Sequence, residues 1–355
     1  MTTLVQPLPE GPLDLIGDVH GELEALERLL RRLGCDPDTA TVQRPLVFVG
    51  DLVDRGPDSP GVVRLVKHLV EAGVAHSVAG NHELNLLCAD EKEGNGWYFG
   101  HDDQHHGRAF ESASVGPSER DELRAFLATL PLVLERADLR VVHACYDEDA
   151  LRRLPVEGDL GVLANEAEAR IVADLRASGV LQKAQEERAR FAHFRDPAVQ
   201  PVRPLDAALK MIVAEQRYDP FRILTSGQEE PIPEEEPLFY VGGKWRLVRR
   251  AHWWASYRDE PAVVVGHYWR RRMALGSGKP NLWDAVPRYG WAGPRSNVFC
   301  VDYCVGRRFL ERWEHEELGA PAPFRGGLAA LRWPERVLVF DDRETPVSTT
   351  GFGAS

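Results

Sequence analysis

The chain has 355 residues, of which 43% are hydrophobic, and its 43 Lys and Arg against 55 Asp and Glu give a net charge of −12. This composition predicts a globular protein with a sizeable core, and the acidic balance argues against general nucleic-acid binding, which requires a basic stripe. No run of about 18 apolar residues occurs, so we expect no membrane span, and the start of the chain lacks the basic and apolar regions of a signal peptide.

The five cysteines are scattered and form no CxxC pair. An odd number of cysteines without a framework is typical of reduced thiols. The sequence therefore predicts a cytoplasmic protein.

The first third of the chain alternates predicted strands and helices. In order, the segments are LDLI, GELEALERLLRRLG, RPLVFVGD, SPGVVRLVKHLVEAG and VAHSVAGNHE. Short apolar runs closed by glycine are typical of buried strands, and the leucines of the second segment recur at helical spacing. This β-α-β-α-β order predicts a parallel sheet covered by helices.

The remaining segments are less regular. A fourth strand, LRVVHACYDED, ends at His143, and a charged, largely helical insertion follows over about 147–250. Within it, GQEEPIPEEEP (227–237) predicts a solvated, mobile loop. PAVVVGHYW predicts another buried strand, NVFCVDY and LAALRWPERVLVF predict late strands with a hairpin-like closure, and 346–355 predicts a disordered tail.

Polar side chains stand where these strands end, and they form the candidate metal ligands. They are Asp18, His20, Asp51, Asn81, His143 and His267. Ligands of such sheets bind outside the carboxyl ends of the strands. Carboxylate, imidazole and amide donors suit two divalent transition ions, Mn, Fe or Zn, better than calcium. A shared carboxylate would hold such ions about 3.5–4 Å apart.

The motifs resemble a known family. GDVHG, GDLVDRG and GNHE are similar to the three signature blocks of the phosphoprotein-phosphatase family of binuclear metallophosphoesterases, in its bacterial calcineurin-like or bis(5'-nucleosyl)-tetraphosphatase-like branch. VVHAC and VVVGH are similar to its later histidine blocks, although HAC stands where many members have His-Gly-Gly. The resemblance implies an α/β (α+β-like) β-sandwich flanked by helices. We expect one domain over 1–345, with its core at 13–145 and 260–342 and a helical cap inserted between them.

The same resemblance implies the role of each metal ligand. Asp18, His20 and Asp51 would hold the first ion, with Asp51 as the bridge. Asn81, His143 and His267 would complete the second site. Two divalent ions are expected, with Mn ahead of Fe or Zn.

Three further residues suit the chemistry of phosphate ester hydrolysis. His82 follows Asn81 and could protonate the leaving group, Asp54 could orient it, and the planar fork of Arg55 suits a phosphate. Family members often supply a second phosphate-binding arginine between the fifth and sixth ligands. Arg222, Arg246, Arg249 and Arg250 compete for that role. We take Arg249 as the prediction, because RLVRRAHWW lies near the His267 strand.

The sequence thus predicts a metal-dependent phosphoesterase that hydrolyses phosphate monoesters by a two-metal-activated hydroxide, resembling a serine/threonine protein phosphatase. The alternative is a dinucleoside polyphosphate hydrolase, such as one acting on diadenosine tetraphosphate. Substrates would therefore be a phosphoprotein, a small phosphoester or a dinucleoside polyphosphate, with no membrane partner. A non-catalytic scaffold would have lost ligands, and a nucleic-acid end-processing phosphatase is disfavoured by the charge.

Three aromatic or polar segments have open roles. HDDQHHGR (101–108) predicts a polar loop rather than a third metal site. GNGWYF predicts either a cleft wall or simple packing. Trp253 and Trp254 are expected in the core, with stacking on a substrate as the alternative.

Overall fold

The computed structural model describes residues 2–105, 107–190, 196–241, 243–272, 281–320 and 322–353. Within these ranges the strands are β1 Thr2–Thr3, β2 Val5–Pro7, β3 Leu13–Ile16, β4 Leu46–Phe48, β5 Ala75–Ser77, β6 Gln104–His105, β7 Arg108–Ala109, β8 Val133–Glu135, β9 Leu139–Val142, β10 Glu157–Gly158, β11 Glu229–Pro231, β12 Phe239–Val241, β13 Lys244–Arg246, β14 Val248–Arg250, β15 Ala262–Val265, β16 Val298–Cys300, β17 Ala329–Trp333, β18 Val337–Phe340 and β19 Val347–Ser348. The α-helices are α1 Leu23–Leu33, α2 Ser59–Glu71, α3 Asn81–Leu87, α4 Gly96–Phe99, α5 Pro117–Leu127, α6 Glu148–Arg153, α7 Leu160–Ala177, α8 Val180–Arg190, α9 Asp206–Tyr218, α10 Pro220–Ser226 and α11 Arg308–Leu318.

Two mixed sheets form the centre of the fold. One has the strand order β16-β15-β9-β8-β2 and the other has the order β19-β18-β17-β3-β4-β5. Strands β3, β4 and β5 are parallel neighbours, and β9, β15 and β16 are parallel in the other sheet. The predicted parallel start, the closing β17–β18 hairpin and the mixed β-sandwich are confirmed.

Alternation along the strands builds two layers of core. Leu15 of β3 packs between the sheets with Val264 and Phe299, whereas its neighbour Ile16 packs with the helical layer. Successive side chains of a strand point to opposite faces, so one apolar run serves both layers. The central strands β3, β4 and β15 are therefore buried on both sides, and polar side chains follow their carboxyl ends.

Helix α1 shows why these segments cover the sheet. Leu26, Leu29, Leu30 and Leu33 lie on one face and are buried. The helix ends at Gly34, whose φ of 80° is a left-handed conformation that glycine adopts without strain. Among the described residues, no helix combines the length and the apolar character that a membrane crossing requires.

The predicted insertion is largely helical in its described part, which excludes residues 191–195 and 242. It has a hydrophobic cluster of its own, in which Leu175, Ala208, Met211 and Leu247 are buried. A separate small cluster fits a cap that is added to the sandwich core. The boundaries predicted for the insertion and for the domain stay predictions.

Two segments differ from the sequence-based expectation. The Pro- and Glu-rich segment 227–237 contributes β11, which pairs antiparallel with β14. The tail contributes β19, which pairs with β18, and the ring of Phe352 packs 4.7 Å from that of Trp291. The pairings join Glu229 to Arg250 and Leu338 to Val347, and the composition of the two segments gave no sign of them. Residues 354–355 of the tail lie outside the described residues.

Asp14 gives a prediction about stability and pH. It lies in β3 with no exposure, its carboxylate accepts no hydrogen bond although Arg332 Nε lies 3.3 Å away, and burial raises its pKa from 3.8 to about 6. Between pH 3.8 and about pH 6 the Asp14 carboxyl binds more protons in the folded state than in the unfolded state. The free energy of unfolding therefore falls as pH rises through this range, and the full cost of the charged carboxylate is present above about pH 6.

We therefore expect Asp14→Asn to raise the free energy of unfolding at pH 8, by at most about 3 kcal/mol, and to change it less at pH 4.5. Denaturant unfolding of both proteins at the two pH values measures this. A variant that is destabilised equally at both would contradict the expectation.

Candidate metal centre

The predicted ligands meet at one edge of the sandwich. Asp18 and His20 follow β3, Asp51 follows β4, and Asn81 opens α3 just after β5. His143 follows β9 and His267 follows β15, in the facing sheet. Because β3 to β5 are parallel to one another, and β9 is parallel to β15, their carboxyl ends converge. The structure thus brings together all six residues that the sequence places at strand ends.

The backbone at this edge is held in unusual conformations. His20, Asp51 and His267 have φ values of 48°, 50° and 68°, in the left-handed region that non-glycine residues rarely adopt. Such residues cost about 1–3 kcal/mol each and cluster at functional sites. Gly266 is needed for a different reason, because a Cβ there would lie 2.0 Å from Asp18 Oδ1.

Asp51 lies at the centre of the cluster. Its Oδ2 is 3.2 Å from His143 Nε2 and 3.7 Å from His20 Nε2, and its Oδ1 accepts a hydrogen bond from the His82 backbone N–H at 3.1 Å. Asp18 Oδ2 lies 3.9 Å from His20 Nε2 and accepts from the His267 N–H. One carboxylate therefore faces both halves of the site.

Several potential metal-ligand atoms near Asp51 have no hydrogen-bond partner in the protein. Asn81 Oδ1, His143 Nε2 and His267 Nε2 are buried and accept no hydrogen bond. His143 Nδ1 lies 2.7 Å from Val49 O and must carry the proton that it donates, so in the neutral ring that would bind a metal ion Nε2 has the free lone pair. His20 is held in the same way by Val53 O. Buried polar atoms normally have partners, and these orphaned lone pairs fit metal ions.

Distance alone defines two overlapping triads in the described residues. One is His20, Asp51 and His82, and the other is Asp51, His143 and His267, with ligand atoms within 4.8 Å of one another. The second matches the prediction without Asn81. The first contains His82 where the prediction has Asp18, although Asp18 is within 3.9 Å of His20. Which residues bind metal stays a prediction.

The electrostatics also favour bound cations. Burial raises the pKa of Asp18 well above its usual value, and the nearby carboxylate of Asp302 raises it further. Burial lowers the pKa of His143, but the Asp51 carboxylate outweighs this and raises it to about 10. Buried carboxylates that repel each other are stabilised by a divalent cation between them.

His82 lies beside the cluster in a defined orientation. Its Nδ1 is 2.6 Å from Asp54 Oδ2, and Asp54 is fully buried. Arg55 reaches the same point, with Nη2 3.2 Å from His82 Nε2 and Nη1 2.7 Å from His20 Nε2. The predicted trio of His82, Asp54 and Arg55 is therefore assembled at the edge of the metal site.

The competing arginines are separated by their partners. Arg249 lines the cavity, but its Nε and Nη1 bind Glu230 and Glu236, which balance its charge. Its contact with phosphate stays a prediction. Arg250 instead lies over the ring of Tyr268, next to His267 in sequence order. Burial lowers the pKa of His267 and the positive charge of Arg250 lowers it further. Arg250 is therefore better placed than Arg249 to meet an anion at the metal centre.

Sequence reasoning missed three residues that support the site. Trp97 Nε1 donates to Asp54 Oδ1 at 2.7 Å. Glu83, the last residue of GNHE, accepts from the backbone N–H of Asp51 and Gly80 and so ties two ligand loops together. Asp302 accepts from Trp269 N and is close enough to Asp18 to raise its pKa. Glu83 stood in the motif GNHE and Trp97 in GNGWYF, a segment whose role was left open, whereas nothing local marked Asp302.

Trp97→Phe should show what the hydrogen bond to Asp54 contributes. We expect kcat to fall about tenfold, in line with about 1.5 kcal/mol for a hydrogen bond to a charged group, with KM little changed. Steady-state kinetics measure both, with Trp313→Phe, on α11, as the control. An unchanged kcat would show that Asp54 orients His82 without Trp97.

The other aromatic and polar segments pack as the simpler reading predicts. Trp253 and Trp254 are buried, and Trp254 stacks on Trp283 with 4.4 Å between the ring centroids. In HDDQHHGR, His105 pairs with Glu93 and packs against Phe309. No metal triad in the described residues includes this segment, and His106 lies outside them.

The comparisons with known proteins agree with the geometry. Residues 11–140 match the family described as calcineurin-like phosphoesterase. An asymmetrical bis(5'-nucleosyl)-tetraphosphatase of Oceanobacillus iheyensis is 51% identical over 74 residues, which are 20% of this chain and 30% of that protein. A symmetrical bis(5'-nucleosyl)-tetraphosphatase of Methylococcus capsulatus is 39% identical over 132 residues, or 36% of this chain and 41% of that protein.

Among solved structures, the cold-active protein-tyrosine phosphatase of a psychrophilic Shewanella aligns over 97% of this chain and 83% of its own, with 16% identity and a TM-score of 0.46. The matches span less than half of the length of the two tetraphosphatases. The matched residues 11–140 include the ligand loops at Asp18 and His20, at Asp51 and at Asn81. Residues 11–140 are therefore the part of the chain that is similar to calcineurin-like phosphoesterases.

Proposed function

We propose that this chain is a metal-dependent hydrolase that cleaves a phosphoanhydride bond of dinucleoside polyphosphates. The observation that carries the proposal is the set of buried oxygen and nitrogen atoms around Asp51 that have no hydrogen-bond partner. Asp51, Asn81 and His267 line a cavity of about 1100 Å³. A cavity of this size is at the upper end of small-molecule sites and suits a large substrate. The names of the bacterial relatives support the alternative of the sequence analysis over the protein-phosphatase reading.

Two divalent ions would be held by Asp18, His20 and Asp51 on one side and by Asp51, Asn81, His143 and His267 on the other. When bound, they supply neutralisation of the phosphate charge and activation of the attacking water. The mixed oxygen and imidazole donors favour Mn, with Fe or Zn as alternatives. The five cysteines are all free thiols, which supports the proposal of a reducing, cytoplasmic location.

The protein's own groups carry out the remaining steps. Arg55 and Arg250, which both line the cavity, would donate to the phosphate oxygens and orient the bond to be broken. His82 would act as the acid when its Nε2 carries a proton in place of the contact with Arg55. It would give that proton to the departing oxygen, while Asp54 holds Nδ1 and stabilises the charged ring. The oxygen of water becomes bonded to phosphorus as the bridging P–O bond breaks.

A substrate panel tests the proposal. The panel contains diadenosine tetraphosphate, a phosphoserine peptide and p-nitrophenyl phosphate, each with Mn²⁺. We expect the highest kcat/KM for the dinucleotide, and chromatography of the nucleotide products shows whether cleavage is symmetrical or asymmetrical. Turnover of the phosphopeptide without turnover of the dinucleotide would overturn the proposal and favour a protein phosphatase.

The two arginines give a second prediction. Arg250→Ala should raise KM for the dinucleotide about tenfold, as expected for a lost charge-assisted contact. Arg249→Ala should change KM less than twofold, because its guanidinium is already paired with Glu230 and Glu236. Initial-rate kinetics of both variants measure this. The reverse order would show that Arg249 is the phosphate contact.

A further inference from the structure

The hairpin of β12 and β13 forms part of the wall of the cavity. Its register pairs Phe239 with Arg246, Tyr240 with Trp245 and Val241 with Lys244. Cross-strand partners lie on the same face of a hairpin, and alternate residues share that face. The hairpin therefore has one face with Tyr240 and Trp245, and a second with Phe239, Val241, Lys244 and Arg246.

The first face is accounted for by packing within the insertion. The rings of Tyr240 and Trp245 meet edge to face at 5.6 Å. Trp245 packs against the hydrophobic cluster of the insertion, and its Nε1 donates to Asp196 O. This face anchors the hairpin.

The second face has two apolar side chains that are not covered by the core. Phe239 is 42% exposed and Val241 is 50% exposed. Both line the same cavity as Asn81 and His267 of the metal centre. An exposed aromatic ring beside an aliphatic side chain, in the wall of a polar cleft, is the kind of surface that a flat apolar group of a ligand covers.

Positive charge lies beside this apolar face. Arg246 Nε donates to Val241 O, and Arg250 also lines the cavity. Burial lowers the pKa of Arg246 and the charge of Arg250 lowers it further, with Glu229 as the opposing carboxylate. In a chain with a net charge of −12, cations crowded on one wall of a cleft favour an anionic ligand.

We propose that Phe239 and Val241 form a platform on which a nucleobase of the substrate stacks, while its phosphate chain passes Arg246 and Arg250 to the metal centre. Stacking of a base on an aromatic side chain is tolerant of base identity, so the platform selects nucleotides over plain phosphates rather than one base over another. The inference rests on the proposed function for the identity of the substrate, and it names the residues that recognise the nucleoside end.

Binding measurements test the platform without turnover. Calorimetric titrations with ADP and with pyrophosphate, both in Mn²⁺ buffer, compare the wild type with Phe239→Ala. We expect Phe239→Ala to weaken ADP binding roughly tenfold, the effect of losing one base–aromatic stack, and to leave pyrophosphate binding within twofold. Phe239→Tyr keeps the ring and should bind ADP like the wild type. Tyr218→Ala removes an aromatic ring that is 58% exposed outside the cavity, and should change neither ligand.

Three results would overturn the platform: equal weakening of ADP and pyrophosphate, unchanged ADP binding, or the same loss in Tyr218→Ala. The proposed function fails in a different way. If the wild type binds ADP through Phe239 but does not hydrolyse diadenosine tetraphosphate, the platform is supported and the assigned reaction is refuted.

Discussion

Asp51→Asn should abolish both metal binding and activity. Asp51 is the residue shared by the two triads, and its Oδ2 lies within 3.9 Å of the Nε2 atoms of His20, His82 and His143. The amide has no charge, and its NH₂ group would face those nitrogens where the carboxylate offers lone pairs. Since bound metal stabilises the transition state by several kcal/mol, we expect kcat/KM to fall by at least about a thousandfold.

Metal content after gel filtration, measured by plasma mass spectrometry, distinguishes loss of ions from loss of chemistry. Asp149→Asn is the matched control, because its side chain is 78% exposed on α6 and lies outside the cavity. It should keep wild-type metal and wild-type rates. An Asp51→Asn protein with two ions per chain would contradict the bridging role.

His82→Asn should lower kcat strongly while both ions stay bound. The imidazole is held by Asp54 at 2.6 Å and lies next to the cluster, so its removal takes away a proton donor without taking away a predicted ligand. General acid catalysis contributes about a hundredfold to ten-thousandfold. The loss should be largest with an alkyl phosphate, whose leaving group is most basic, and smaller with p-nitrophenyl phosphate.

The dependence on leaving group is what identifies an acid. Equal losses of kcat on both substrates, or turnover of the alkyl phosphate at the wild-type rate, would remove His82 from that role. A loss of one ion would place His82 in the first metal site instead of Asp18, as the distance-based triad allows.

The parallel start of the fold and the candidate ligands followed from local sequence because each candidate lies just after a strand, with Asp18 and His20 sharing β3. The two-sheet sandwich was expected from the family resemblance. The alternation of strands and helices set β3, β4 and β5 parallel, and the GD, GD and GN endings then had to meet. The same reasoning placed His143 and His267 on the neighbouring strands β9 and β15. These are inferences about edges of sheets, and they need only the order of elements.

The remaining features depend on contacts that no local pattern records. Trp97 is 43 residues from Asp54, and its hydrogen bond arises from how α4 packs. The proposed choice of Arg250 over Arg249 depends on Glu230 and Glu236, which lie on another segment of the insertion. The composition of the tail predicts disorder, yet β19 in the tail pairs with β18 at the edge of a sheet.

Anomalous diffraction from crystals grown with Mn²⁺ tests the two-ion centre most directly. We expect two peaks per chain, both in contact with the Asp51 carboxylate, one beside Asp18 and His20 and the other beside Asn81, His143 and His267. A single peak, or peaks that lie out of reach of the buried Nε2 atoms of His143 and His267, would contradict a binuclear site.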